Sequence, residues 1–217
     1  MEELNIMQRL AVWALPVLFA ITVHEVAHGW VAQRFGDPTA KMLGRLTLNP
    51  IKHIDPVGTL LVPALLLYFI GFLFGWAKPV PVTWENLKNP KRDMALVALA
   101  GPTANLLMAI CWAVIMKLGL LLGGQLDWLA RPLVYMGSAG ISINVMLMVL
   151  NLIPLPPLDG GRVMSGLLPN RAAYSFNRIE PYGFFILLGL LATGVLGYIM
   201  LPVVNMVQGV LFFIMGL

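Results

Sequence analysis

The chain has 217 residues, 59% of them hydrophobic and 11% charged, and a mean hydropathy of +0.84. Soluble domains carry about 25% charged residues, so the composition excludes an ordinary soluble domain and points to one membrane domain of several spans. The net charge of +4 is scattered between apolar runs, unlike the clustered basic face of a nucleic-acid binder, and the single cysteine, Cys111, excludes an internal disulfide or a cysteine metal cluster.

The N-terminal "MEELNIMQR" is acidic where a signal peptide is basic, so the first span is expected to be retained. Leu10–Phe35 is the first predicted helix, long enough to span at about 1.5 Å per residue. Gly36-Asp37-Pro38 stops it, and a polar loop follows over 36–56. Val57–Trp76 is apolar but interrupted by Gly58, Pro63, Gly71 and Gly75. Residues 78–93 are polar and proline-rich, with a short extended stretch predicted at Pro79–Thr83. Met94–Leu122 is a span carrying "AGPTAN". Leu133–Ile153 is another, running into "PLPPLDGGR". After a polar, basic stretch at 160–181, two closing helices are predicted at Tyr182–Met200 and Val203–Leu217, joined at Leu201-Pro202. The fold class is all-α, a polytopic membrane protein with about five to six membrane-embedded helices. It is read as a single domain over 1–217, with a core over about 10–162 and closing helices over about 182–217.

Lysine and arginine set the expected orientation. Loop 34–56 holds Arg34, Lys41, Arg45 and Lys52, segment 78–93 holds Lys78, Lys88, Lys91 and Arg92, and loop 160–181 holds Arg162, Arg171 and Arg178. The positive-inside rule assigns all three to the cytoplasm. If Val57–Trp76 crossed the membrane, its flanks would lie on opposite sides. A re-entrant hairpin resolves this, and Pro63 and the glycines suit the broken helix it needs.

Polar residues interrupt the first span at "ITVHEVAHGW", residues 21–30. His24 and His28 are four apart, so they share one helix face and can share one metal ion. Glu25 lies about 100° around the helix from His24, within reach of a water at that metal as general base. This is the H-E-x-x-H pattern of zinc proteases. Ionisable residues inside a span are functional by default. The competing reading is a transporter or a proton or ion pathway through the same His/Glu cluster, which needs no third ligand. From Leu10, His24 lies about 21 Å along the helix axis. That places it past the bilayer middle toward the cytoplasmic end, the side from which water is expected to enter.

A catalytic zinc site usually takes three protein ligands plus water. Asp159, in "NLIPLPPLDGGR", is the best third candidate. Pro154, Pro156 and Pro157 rule out a regular helix before it, and Gly160-Gly161 permit unusual backbone angles. An unwound segment at membrane depth must line a cavity or pack in protein. The structural alternative is that Asp159 caps the next helix, and His53 is the competing ligand. Asn105, one turn after Gly101, needs a polar partner: a substrate carbonyl or oxyanion, or another helix. Asn144 and Asn151 invite the interhelical reading. His53 and Asp55, in "NPIKHIDP", either approach the site or form a solvated turn.

Together, "HEVAH" at 24–28, "GPTAN" at 101–105 and "NLIPLPPLDGG" at 151–161 resemble the site-2 protease family of intramembrane zinc metalloproteases. The resemblance extends over nearly the whole chain. It implies one zinc ion held by His24, His28 and Asp159, with Glu25 as general base. It also implies a multi-pass cell-membrane enzyme that cleaves membrane-spanning protein substrates near the cytoplasmic face, often anchored regulators already trimmed by another protease. In this family the segment before the GP helix can form a membrane-associated β-hairpin that pairs with extended substrate, and "GWAKPVPV" at 75–82 resembles one strand of it. The chain departs from the family pattern in lacking a PDZ or CBS stretch and in the extra apolar stretch Val57–Trp76. The expected partners are membrane-spanning proteins and the lipid bilayer, with no nucleic acid.

Overall fold

A computed structural model describes residues 5–62, 65, 68, 75, 77–124 and 126–217. The helices with described bounds are α1 (Ile6–Arg34), α2 (Thr39–Met42), α3 (Pro90–Leu122), α4 (Asp127–Asn151), α5 (Asp159–Leu167), α6 (Asn170–Asn177), α7 (Glu180–Ala192) and α8 (Val195–Met215). Short helical turns at Pro50–His53, Pro56–Leu61 and Trp84–Asn86 punctuate the connection between α2 and α3. Among the described residues there is no β-strand. Among the described residues, four helices, α1, α3, α4 and α8, are long and apolar enough to cross a membrane. α7 is apolar, but its 13 residues fall short of the roughly 20 that a span needs.

Local chemistry fixes the helix starts. Asn5 and Gln8 form a capping box before α1: the Gln8 N–H donates to Asn5 Oδ1 and the Asn5 N–H to Gln8 Oε1, both at 2.9 Å. Pro90 opens α3, where a missing N–H costs nothing. The core lies between α3, α4 and α8, built from Trp112, Ile141, Val145, Met148, Met200 and Val204 among others. Gly140 lets α3 and α4 approach, since a Cβ there would lie 2.2 Å from the Trp112 ring. α1 packs against both α3 and α4. Apolar side chains such as Leu10, Trp13, Leu118 and Phe213 face outward, which suits a bilayer.

The closing helices differ from expectation. The break falls at Thr193-Gly194, not at Leu201-Pro202. Gly194 has φ +74°, a left-handed conformation that ends a helix, while Pro202 lies inside α8. Membrane helices tolerate proline because neighbouring groups re-satisfy the freed carbonyl. Within the stretch 160–181, α5 and α6 are helical. The expected re-entrant hairpin at Val57–Trp76 and the start of the expected strand at 75–82 lie largely outside the described residues. In the described part, 77–83, the chain is neither helix nor strand.

Candidate active site

α1 and the first residue of α5 bring His24, His28 and Asp159 together, all three buried, with ligating atoms within 4.8 Å of one another. His24 Nε2 and His28 Nε2 are 3.0 Å apart, and Asp159 Oδ2 lies 3.2 and 3.3 Å from them. The outer ring nitrogens are anchored: His24 Nδ1 lies 2.6 Å from Asn105 Oδ1, and His28 Nδ1 lies 2.7 Å from the Val97 carbonyl. Carbonyl oxygens only accept, so in each neutral ring the proton sits on Nδ1 and the Nε2 lone pair points inward. Two lone pairs and a carboxylate oxygen then face one another and repel unless a cation lies among them. Asp159 Oδ2 is buried with no hydrogen-bond partner. A tetrahedral zinc with bonds of about 2.0–2.1 Å sets its ligand atoms about 3.3 Å apart, close to the spacing found. The three residues fit a divalent metal ion of zinc's preferences.

Gly101 of α3 keeps the centre open. A Cβ there would lie 2.4 Å from His28 Nε2 and 2.6 Å from His24 Nε2, among the ligand atoms themselves. Gly160 and Gly161 present Asp159 by permitting close approach: added Cβ atoms would lie 2.4 Å from the Leu152 and Ile153 carbonyls and from the Pro156 nitrogen. Neither has positive φ, so compactness rather than unusual backbone angles is their use. Leu158, not Asp159, holds the cap position of α5.

Asn105 is fully buried, and its Nδ2 donates to the Ala20 carbonyl at 3.2 Å and to Asn144 Oδ1 at 3.0 Å. Both amide hydrogens are used, so none remains for a substrate oxyanion. Instead Asn105 fixes the His24 ring, and Asn144 backs it while donating to the Gly140 carbonyl at 2.8 Å. His53 is buried and is not one of the grouped residues, its Nε2 donating to the Thr47 carbonyl at 2.9 Å. Asp55 Oδ1 accepts the Val57 and Gly58 N–H groups at 2.9 and 2.7 Å, a turn cap. Asn151 Nδ2 donates within α4, to the Leu147 carbonyl at 3.0 Å.

Half-buried Glu25, next to His24, accepts the Val80 main-chain N–H on Oε2 at 2.7 Å. Several bonds hold the strap 77–83 over it. Arg45 Nη2 donates to the Lys78 and Pro79 carbonyls at 2.8 and 3.3 Å, and the Lys78 N–H donates to the His53 carbonyl at 2.9 Å. Asp37 accepts the Thr83 N–H at 2.7 Å and Asn86 Nδ2 at 3.0 Å. Burial pushes the Asp37 carboxyl up, but hydrogen bonds from Asn86, Thr39 and Thr83 outweigh it and hold the group below its ordinary value. The sequence reading did not find Asp37, Arg45 and Val80 as supports of the site. The signal was weak: a buried-type Asp after a helix stop, and prolines on both sides of one valine.

A helical membrane protein with a buried His/His/Asp cradle beside a glutamate belongs to the class of membrane-embedded metallopeptidases. Residues 12–194 match the profile described as Peptidase family M50, and the chain belongs to that family. YwhC of Bacillus subtilis (strain 168) is 39% identical over 192 residues, covering 88% of this chain and 84% of that one. Rip2 of Mycolicibacterium smegmatis is 33% identical over 180 residues, 81% of this chain and 64% of that one. MJ0392 of Methanocaldococcus jannaschii is 23% identical over 174 residues, 79% of this chain and 39% of that one. All three are zinc metalloproteases by name. The chain thus spans less than two thirds of the last two. No solved structure matches it significantly.

Proposed function

We propose that this protein is an intramembrane zinc metalloprotease that hydrolyses peptide bonds of membrane-spanning substrates near the cytoplasmic face. The observation that carries this reading is the convergence of His24 Nε2, His28 Nε2 and Asp159 Oδ2 on one buried point, with Glu25 beside it. When bound, zinc supplies a Lewis acid that acidifies water at neutral pH and polarises a carbonyl. His24, His28 and Asp159 hold the ion, and the carboxylate offsets part of its charge in a dry setting. Glu25 takes the proton of the attacking water as its oxygen bonds to the scissile carbon. It then passes that proton to the departing amide nitrogen as the C–N bond breaks. Asn105 and the Val97 carbonyl keep both imidazoles in the tautomer that faces the metal.

The cytoplasmic orientation rests on the lysines and arginines of loops 34–56, 78–93 and 160–181. The substrates in this reading are membrane-spanning proteins, often anchored regulators already trimmed by another protease. A proton or ion pathway fits less well, since both Nδ1–H groups end on fixed carbonyl acceptors rather than on a chain of titratable groups. The test uses purified protein in proteoliposomes with a single-span peptide substrate. Wild type should hold about one zinc per chain and cleave. Glu25→Gln should keep the zinc and lose at least about a hundredfold in rate. Full cleavage by Glu25→Gln contradicts the role of Glu25.

A further inference from the structure

We infer that the main-chain N–H of Val80 is a positioning group for Glu25, fixing the carboxylate so that its other oxygen faces the water. This rests on the proposed role of Glu25 as the base. The bond is short, 2.7 Å, and it engages Oε2 alone; Oε1 has no hydrogen-bond partner among the described residues. A half-buried glutamate with no fixed partner samples several rotamers, and a base must sit within hydrogen-bond reach of the proton it takes. One oxygen tied to a fixed donor leaves one free oxygen in a defined place.

The chain around Val80 is built to make that donor immobile. Pro79 and Pro81 lock φ on both sides and carry no N–H, so Val80 is the sole main-chain donor in Pro79–Pro81. Arg45 clamps the carbonyls before it, and Asp37 holds the Thr83 N–H after it at 2.7 Å. The Thr39 and Thr83 hydroxyls add a bond at 2.9 Å. The Val80 side chain is buried against α1 where residue 29 is glycine, one turn beyond Glu25. A Cβ at Gly29 would lie 2.8 Å from Val80 Cγ1 and 2.6 Å from Leu46 Cδ2. The space left by Gly29 lets the strap come down far enough for its amide to meet the glutamate. Arg45 and Asp37 act through the strap, Val80 acts on the base, and none of them touches the substrate in this scheme.

The donor is a backbone atom, so the decisive change is an amide-to-ester replacement. Incorporating the α-hydroxy analogue of valine at position 80 replaces the N–H by oxygen and keeps the side chain. The same replacement at Leu46, outside the 75–82 stretch and with no partner for its N–H among the described residues, using the α-hydroxy analogue of leucine, controls for the chemistry. Each full-length protein is loaded with zinc, reconstituted, and assayed on a quenched fluorescent single-span peptide. The Val80 ester should lose about tenfold or more in kcat, with zinc content and KM close to wild type, while the Leu46 ester stays within about twofold. An unchanged kcat in the Val80 ester overturns the inference, and a raised kcat would make the strap a brake and overturns it too. Glu25→Gln is run alongside. If it is inert while the Val80 ester is normal, only the positioning role fails. If Glu25→Gln is active, the base assignment itself fails.

Discussion

The two halves of the site are held in different ways. The metal-holding half is built from side chains on packed helices: two imidazoles of α1, the Asn105–Asn144 pair from α3 and α4, and a carboxylate at the start of α5. The half around Glu25, the proposed base, is built from the main chain at 78–83, where Val80, Lys78 and Thr83 present amides to Glu25, His53 and Asp37. The contrast suggests a division of labour. The ligands need fixed direction, which helix packing and buried side-chain bonds supply. The base needs one oxygen held and one left free, which a single amide on a clamped strap supplies.

Substitutions that damage one half and spare the other can break this comparison. The largest effect is expected at Gly101. Gly101→Ala puts a methyl group among the ligand atoms, so zinc content should fall toward zero and cleavage should vanish with it. Full zinc occupancy in a folded Gly101→Ala protein would mean that the ion lies elsewhere. A smaller effect is expected from Asn105→Ala, which frees the His24 ring and leaves Asn144 Oδ1 without its donor. Zinc affinity, measured by chelator competition, should weaken about 10–100-fold, the usual range for a lost support of a ligating histidine.

The smallest effect should come from the base-holding half on acidification. The Asp37 pKa lies below its ordinary value, so its contribution is fully present above about pH 4. It is lost as pH falls through the lower folded value. Below that point the strap should loosen while the spanning helices stay packed. Hydrogen exchange should then quicken at Val80 and Thr83 before it does in α3 or α4. Exchange that rises in all of these segments together would show that the two halves are not separate.

The same contrast explains what the sequence made legible. His24, Glu25 and His28 were readable because a helix converts a spacing of four into a shared face. Asp159 was legible as a candidate because prolines mark the unwound stretch before it, while the glycines after it lie inside α5 and serve close packing. Asn105 announced only that a buried amide needs partners, and which partner it took depended on how α1, α3 and α4 pack. His53 was left open between the site and a loop turn, and what its ring meets, a carbonyl six residues back, depended on the fold of the loop. The strap was not readable as a support. An amide bond to a carboxylate is made by any residue but proline, so it leaves no side-chain signature. The helix break at Gly194 was missed because glycine ends a helix only where the backbone turns left-handed, and proline looked like the stronger signal.

The central claim is that His24, His28 and Asp159 together hold the metal beside Glu25. The most direct test is anomalous diffraction at the zinc edge from crystals of the full chain. One peak is expected, bonded to Nε2 of both histidines and to an oxygen of Asp159, at about 2.0–2.2 Å from each. A peak that leaves Asp159 well outside bonding distance, or that takes its third protein ligand from the 53–55 loop, would contradict the account.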